Sequence, residues 1–391
     1  MASLIPYGKQ TISSEDIKAV NKSLKKEFLT TGPGVKLFEK KFSNYLGCKF
    51  SVSSNSGTSA IFLALKSIDL KKNDTVIIPS INFIAAANLS KILNARIIFS
   101  DVDPLTGQMT PENLLECIRK NKIKKIKVIF TMHNGGFNNH AKEFFKIKKK
   151  YKCFLIEDAC HALGGKNSKK SNDLIGNCKY SDLTTFSFHP LKTITTGEGG
   201  MTTTNNIKFY NLMRQYRNHG WGIENKKNSN LMHNLKVCGF NFRLTDLQCY
   251  LGLSQLKKID NFVKKRNSIA KYYLKKMSHL KNNIFLPQNN KYYSAWHLFI
   301  ILFKNEKLKI SRDKIMQILR KKKIATQVHY IPSYRQKPFY VKNKKKYPGA
   351  EFYFSRCLSL PIFPNLKFKE VDFIVKTIEN LIKKNKKISK K

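Results

Sequence analysis

The sequence predicts an α/β protein: a large domain on a mostly parallel, mixed sheet covered by helices, followed by a smaller C-terminal α+β domain. Three observations carry this. From Val52 to about Thr204, short β-rich runs alternate with helical segments, the rhythm of βα units. Beyond residue 277 the pattern changes to hairpin-like strands and two amphipathic helices. A length of 391 residues is also enough for more than one core. We place the boundary so that the large domain covers residues 1–255 and the small one 256–391.

In chain order, "SEDIKAVNKSLKK" (14–26) reads as the first helix, with Ser14 as its cap and acidic residues in the first turn, where they complement the helix dipole. In "SSNSGTSAIFLALKSI" (53–68) an apolar helical pattern begins at Gly57, Thr58 and Ser59. The strand candidates are "TVIIPS" (75–80), "ARIIFSDVD" (95–103), "KVIFTMH" (127–133), "CFLIEDA" (153–159), "TTFSFH" (184–189) and "GMTTTN" (200–205). Function in such sheets collects at the carboxyl ends of the strands. Residues 240–277 read as one long helix or two joined ones. The strand candidate "SAWHLFIILF" (294–303) and the helices "SRDKIMQILRKKK" (311–323) and "KEVDFIVKTIENLIKKN" (369–385) complete the small domain.

The charge balance, 73 basic against 25 acidic residues for a net +48, would ordinarily indicate a polyanion partner. Here the basic residues are mostly lysine and are spread along the chain in short runs such as 146–150 and 342–346, with a solvated tail at 383–391. Filling of exposed positions explains them, with a polyanion-binding surface as the alternative; no helix-turn-helix, zinc-finger or RNP signature is present, so nucleic acid is not the expected partner. No run of 18 apolar residues and no secretory signal pattern occurs, so we expect a cytoplasmic protein without a membrane span. The eight cysteines form no C-x-x-C pair and no zinc spacing; small buried thiols are expected, and no metal.

Three stretches bear chemistry. Helix-start N–H groups and hydroxyls at Gly57 and Thr58 make either a phosphate seat or an ordinary Ser/Thr cap. In "FLIEDACHALGG" (154–165) an apolar strand delivers Glu157 and Asp158 to its end, with His161 three residues on; such a carboxylate can bind metal, act as a base, or pair with a protonated ring nitrogen. In "TFSFHPLKTITTGEGG" (185–200), Lys192 follows a strand and precedes glycines that let backbone pass close to a bound group. It is either a surface lysine in a turn or a desolvated amine able to attack a carbonyl. Together the three supply anchors for the phosphate, pyridinium nitrogen and aldehyde of pyridoxal 5'-phosphate (PLP).

The ordered set "NSGTSA", "IEDACHALGG", "FSFHPLKTITTGEGG" and "GFNFRLTDLQCYLGLSQLKK" resembles the DegT/DnrJ/EryC1/StrS sugar aminotransferases, PLP-dependent enzymes of fold type I, and the match runs nearly end to end. "IPYGKQTISSEDIKAV", "FLTTGP", "SAWHLF", "TQVHYIPSY" and "LSLPIFPNL" are most similar to the pseudaminic-acid branch. The resemblance implies an enzyme that moves the amino group of L-glutamate to C4 of UDP-2-acetamido-2,6-dideoxy-β-L-arabino-hexos-4-ulose. It implies Lys192 as the catalytic amine, Asp158 at the pyridine nitrogen, and Gly57, Thr58 and Ser187 at the phosphate. Phe83 would stack on the ring, and His161 would sit beside its hydroxyl. Asn241 would reach the phosphate from the neighbouring subunit of a homodimer. For the sugar nucleotide the matching positions are Tyr7, the run Glu27, Phe28, Leu29 and Thr30, the run Gln327, Val328, His329 and Tyr330, and the loop residue His219. Two departures concern loop geometry: "HNGGFNNHAKE" (133–143) lacks the proline and acidic residues common there, and Cys160 replaces the usual Ala or Ser. The alternatives are another nucleotide-linked keto sugar, such as a 4-keto-arabinose or a GDP-linked 4-keto hexose, and a PLP-binding regulator or polyanion binder without turnover.

Overall fold

The computed structural model describes residues 4–138, 140–168, 173–221, 235–287 and 293–385. The tail read above as solvated lies outside the described residues from 386 onward. Helices α1 (Ser14–Leu24) and α2 (Pro33–Leu46) lead into β1 (Phe50–Ser54), α3 (Gly57–Ser67), β2 (Thr75–Pro79), α4 (Ala85–Ile92) and β3 (Arg96–Ser100). The units α5 (Pro111–Lys120), β4 (Val128–Met132), α6 (Ala141–Lys150) and β5 (Phe154–Asp158) follow. Then come β6 (Leu183–Ser187), β7 (Gly200–Thr204), α7 (Ile207–Arg217), α8 (Asp246–Leu256) and α9 (Ile259–Lys276). The remainder is β8 (Ile284–Phe285), β9 (Phe299–Phe303), α10 (Arg312–Lys321), α11 (Pro348–Arg356), β10 (Cys357–Leu360) and α12 (Phe368–Asn385).

The seven-stranded sheet has the order β1-β7-β6-β5-β4-β2-β3. β7 pairs antiparallel with both β1 and β6, and the other pairs are parallel, so only β7 runs against the rest. Both faces are covered, which is why β2 and β4 are apolar almost throughout rather than alternating. Strand alternation still sorts the side chains. Val76, Ile78, Val128, Phe130 and Ile156 pack toward α3 and α4, whereas Ile77, Ile129 and Leu155 pack toward α5 and α6.

The smaller, antiparallel sheet β10-β9-β8 packs with α9, α10 and α12 around a separate core that includes Phe299, Ile301, Leu319 and Ile374. Ile5 belongs to this core: its N–H donates to the Lys323 carbonyl at 2.9 Å, and its carbonyl accepts from Ala325 at 2.9 Å. The chain start is thereby tied to the C-terminal unit.

Three details differ from the sequence reading. The cap of α1 is Ser13, not Ser14, because Asp16 in the first turn folds back to accept the Ser13 N–H at 2.9 Å and its hydroxyl at 3.2 Å. Of the two readings of 240–277, two joined helices hold, α8 and α9 meeting at Lys257 and Lys258, but the first begins only at Asp246 instead of 240. The strand expected over 294–303 begins only at Phe299; before it, Trp296 has φ 47°, which breaks the extended run and turns His297 out of the sheet.

Candidate active site

A cavity of about 600 Å³ opens at the carboxyl ends of β5 and β6 and is closed on its far side by the segment 327–331. That volume lies within the roughly 300–1,000 Å³ of small-molecule sites. Twelve residues proposed from sequence line it: Tyr7, Gly57, Thr58, Phe83, Asp158, His161, Ser187, Lys192, Gln327, Val328, His329 and Tyr330.

One end of the cavity is the start of α3. Ser56, in extended conformation, caps the helix by accepting the Ser59 N–H at 3.1 Å, and Ser59 Oγ turns back to Asn55 Oδ1 at 2.6 Å. Ser56 and Ser59 therefore satisfy each other, while Gly57 and Thr58 present first-turn N–H groups that helix geometry leaves without an intrahelical acceptor. The cap read from the sequence is present, and the helix start beside it keeps N–H groups that an anion could meet. Ser187 closes this end, its Oγ accepting from the His189 N–H at 3.3 Å. A Cβ added at Gly57 would lie 2.9 Å from Ser187 Cβ, so the approach tolerates backbone only. Gly57→Ala is expected to cost about 1–3 kcal/mol through this overpacking. A PLP titration of the apoenzyme should show the weaker binding, and urea unfolding the lost stability.

The two adjacent carboxylates of β5 separate by strand alternation. Glu157 points toward α6 and is consumed by structure: Ser181 and Thr184 hydroxyls donate to it at 2.9 Å each, Asn138 at 3.2 Å, and His133 Nε2 lies 3.4 Å away. These partners hold its carboxyl below the ordinary glutamate range despite the opposing penalty of burial. Asp158 points the other way, into the cavity, with Oδ1 accepting the Cys160 N–H at 3.1 Å.

Lys192 is half-buried and lines the same cavity. Its N–H donates to the His189 carbonyl at 2.9 Å, fixing the turn that presents it. Desolvation lowers the pKa of its amine below the ordinary lysine value, and the Asp158 charge partly opposes that shift. A turn lysine has thus become an amine with a larger neutral, nucleophilic fraction at a given pH.

Above this floor, Phe83 is 49% exposed and meets Tyr330 edge-on at 5.9 Å, so it is a cavity ring rather than core. Tyr330 Oη and His161 Nε2 share a hydrogen bond of 2.8 Å, and the Tyr7 and His329 rings are 5.8 Å apart. His329 Nδ1 pairs with Ser359 Oγ at 2.7 Å. His297, which the sequence reading did not single out, also lines the cavity, its ring centroid 4.4 Å from that of His161. Its sequence signal was a histidine at the head of an apolar run, and a strand reading concealed it.

Burial and the nearby cationic groups hold all three imidazoles below the usual histidine range, His329 down to about 3. The sign follows by linkage. Below the unfolded value of about 6.5, the unfolded chain gains protons that the folded one refuses, so stability falls as pH falls. His329 alone gives a slope of about 1 kcal/mol per pH unit between pH 6 and 5, and the other two act in the same direction. Urea midpoints of the apoenzyme should fall as pH is lowered through this window, and His329→Gln should flatten the dependence.

The remaining predicted residues gather elsewhere. Glu27, Phe28, Leu29, Thr30 and Asn241 are exposed and, with His219, lie outside this cavity. They are neighbours of one another: Thr30 bridges Thr245, Asn218 bridges Asn241, and the His219 N–H donates to the Phe240 carbonyl at 3.0 Å. Beside them lies a larger, cationic cavity of about 920 Å³ whose lining includes Thr31, Lys36, Arg217, Trp221 and Arg243. This second region is tied to the start of α3 by the Phe242 carbonyl, which accepts the Asn55 N–H at 2.9 Å.

The donor set of the smaller cavity fits PLP. Free helix N–H groups meet hydroxyls for a phosphate at the glycine cradle, a carboxylate and an amine lie at the strand ends, and His161 Nδ1 is buried with no partner among the described residues. Among the described residues, no helix is long and apolar enough to cross a membrane.

The chain matches the DegT/DnrJ/EryC1/StrS aminotransferase family over residues 10–379. It is 33% identical to the UDP-4-amino-4,6-dideoxy-N-acetyl-β-L-altrosamine transaminase of Campylobacter jejuni over 388 residues, 98% of this chain and 99% of that one. Among solved structures it is similar to Helicobacter pylori PseC, an aminotransferase involved in the biosynthesis of pseudoaminic acid. That structure has a TM-score of 0.89 and 29% identity, covering 98% of this chain and 100% of the other. The PLP-form of Spr1654 from Streptococcus pneumoniae gives a TM-score of 0.87 and 26% identity over 97% and 99%. The fold is that of the fold-type I aminotransferases and the cofactor is pyridoxal phosphate. The chain belongs to the DegT/DnrJ/EryC1/StrS aminotransferase family and is a PLP-dependent sugar aminotransferase.

Proposed function

We propose that this enzyme transfers the amino group of L-glutamate to C4 of UDP-2-acetamido-2,6-dideoxy-β-L-arabino-hexos-4-ulose. The products are 2-oxoglutarate and UDP-4-amino-4,6-dideoxy-N-acetyl-β-L-altrosamine, a step toward pseudaminic acid. The observation that carries the site reading is the convergence of Lys192, Asp158 and the free N–H groups of Gly57 and Thr58 on one cavity. The substrate rests on similarity to the Campylobacter and Helicobacter enzymes.

When bound, PLP supplies a carbonyl that takes up an amino group and a ring that withdraws electrons. The chain's residues make that chemistry selective. Lys192 Nζ is the nucleophile and the proton carrier at the substrate carbon. The Asp158 carboxylate stabilises a proton on a basic nitrogen placed against it. Gly57, Thr58 and Ser187 bind the phosphate, Phe83 covers the ring face, and Tyr7 with the segment 327–330 borders the sugar nucleotide.

The active unit in this reading is a homodimer with shared sites. What supports it is the second group of residues, Asn241, His219 and Glu27–Thr30, on a face that also exposes Phe28, Leu29 and Phe240. Inactive Lys192→Ala and impaired Asn241→Asp subunits, mixed and re-associated, should recover about a quarter of wild-type activity, because half the dimers then hold one intact site of two. No recovery in exchanging subunits would count against sharing.

The substrate test is a panel of nucleotide 4-keto sugars with ¹⁵N-labelled L-glutamate, read by mass and NMR. We expect ¹⁵N at C4 of the UDP-linked N-acetyl sugar; preferential amination of a 4-keto-arabinose or GDP-4-keto hexose would replace it. Salt-sensitive polyanion gel shifts without any transamination would favour a regulator.

A further inference from the structure

His161 borders the cofactor cavity, yet its own loop offers the ring little support: Nδ1 has no partner among the described residues and Nε2 meets only the Tyr330 hydroxyl at 2.8 Å. Three rings pack against it: Tyr330 with centroids 5.9 Å apart, His329 edge-on at 6.1 Å and, nearest of them, His297 at 4.4 Å with planes tilted by 38°. His297 Nδ1 is likewise buried without a partner, so its contribution at His161 is a ring face rather than a hydrogen bond.

The backbone that carries His297 is held from several sides. Arg266, on α9 and 1% exposed, has no carboxylate partner among the described residues. Its Nη1 instead donates to the carbonyls of Trp296 at 3.2 Å, His297 at 3.4 Å and Ile362 at 3.0 Å. Burying a guanidinium without a counter-ion is costly, and spending it on three main-chain acceptors fixes this turn. Gly136 holds the other side: its carbonyl accepts the Ala295 N–H at 2.8 Å and the Ser294 hydroxyl at 3.1 Å. At φ 104°, a Cβ there would lie 2.6 Å from the His161 carbonyl and 3.2 Å from the His297 nitrogen. One glycine is thus wedged between the backbones of the two histidines, in the turn that follows β4. Trp296, at φ 47°, keeps an uncommon conformation that persists only where the surroundings over-determine it.

We propose that His297 is a positioning residue for amino transfer: clamped by Arg266 and Gly136, its ring holds the His161 imidazole in the orientation in which it meets the cofactor. The proposal rests on the cavity reading given above. It assigns the Arg266 grip to the active site, although Arg266 sits beyond the cavity wall.

The test uses PLP-loaded wild type, His297→Ala, His297→Leu and His297→Phe, with Lys192→Ala as the control for the cavity itself. The readouts are the visible circular dichroism of the bound cofactor, which reports its orientation, and kcat and KM for L-glutamate. His297→Ala and His297→Leu should lose at least half the visible dichroism and tenfold or more in kcat, with KM within threefold. His297→Phe, which restores a flat ring, should recover both to within threefold of wild type. Leucine fills the volume without a planar face, so it carries the test if the alanine variant does not fold. Wild-type dichroism and kcat in both the alanine and leucine variants would overturn the proposal, as would a phenylalanine variant no better than alanine. Absence of any visible band in PLP-treated wild type would instead defeat the cavity reading. A band lost only in Lys192→Ala would leave that reading intact and remove this inference.

Discussion

Lys192→Ala is expected to lower amino transfer by at least about a thousandfold, the combined loss of a nucleophile and a positioned proton carrier. Lys192 is the one lysine among the described residues lining the cavity, so no neighbouring amine can stand in. The substitution should not unfold the chain. Burial lowers the amine's pKa, so at neutral pH its charged form is opposed by the fold rather than required by it. Linkage gives a second signature. Between the lowered folded value and the ordinary value of about 10.4, the unfolded chain holds a proton that the folded one has released, so wild-type apoenzyme gains stability as pH rises through that window. The alanine variant should lack that gain. Partial recovery of turnover by a small external amine would assign the loss to the missing amine, whereas activity within tenfold of wild type would remove Lys192 from the chemistry.

Asp158→Asn should cost about a hundredfold or more in turnover with little change in stability, because the amide keeps the shape but not the charge. Its oxygen can still accept the Cys160 N–H that Asp158 Oδ1 accepts at 3.1 Å. Glu157→Gln, one residue away, should do the reverse. It disturbs a carboxylate buried among Asn138, Ser181, Thr184 and His133, costing about 1–3 kcal/mol of stability, with turnover within a few-fold. Urea unfolding beside steady-state rates distinguishes the two. Equal catalytic losses would mean that strand alternation does not separate their roles.

How legible each part was follows from how local its cause is. The βα rhythm was readable because fully buried strands and amphipathic helices differ within a few residues, and the seven-stranded sheet follows it. The helix start at Gly57, the carboxylates of β5 and Lys192 after β6 were readable for the same reason. The choice of Asp158 over Glu157 came from the family resemblance and not from the residues themselves, since adjacent residues face opposite sides of a sheet and only the layer beyond, α6 or the cavity, tells them apart. His161 and His329 were named through the resemblance, but their grouping with His297 was illegible because the three lie far apart in sequence. His297 was further hidden in a run whose apolar pattern continues into β9 although its backbone does not. Cys160 and His189, which also line the cavity, carry no pattern that distinguishes them from loop residues. The basic composition pointed nowhere in particular. Even so, six cationic side chains, Lys36, Lys40, Lys49, Arg214, Arg217 and Arg243, line the larger cavity beside Asn218.

The central claim, that one amine in this cavity engages the aldehyde of PLP, is tested most directly by borohydride reduction of the PLP-loaded enzyme followed by proteolysis and peptide mass mapping. The account predicts a single pyridoxyl mass increment on the peptide containing Lys192, absent from Lys192→Ala. An increment on a surface lysine, or none in an enzyme that still transfers amino groups, would contradict it.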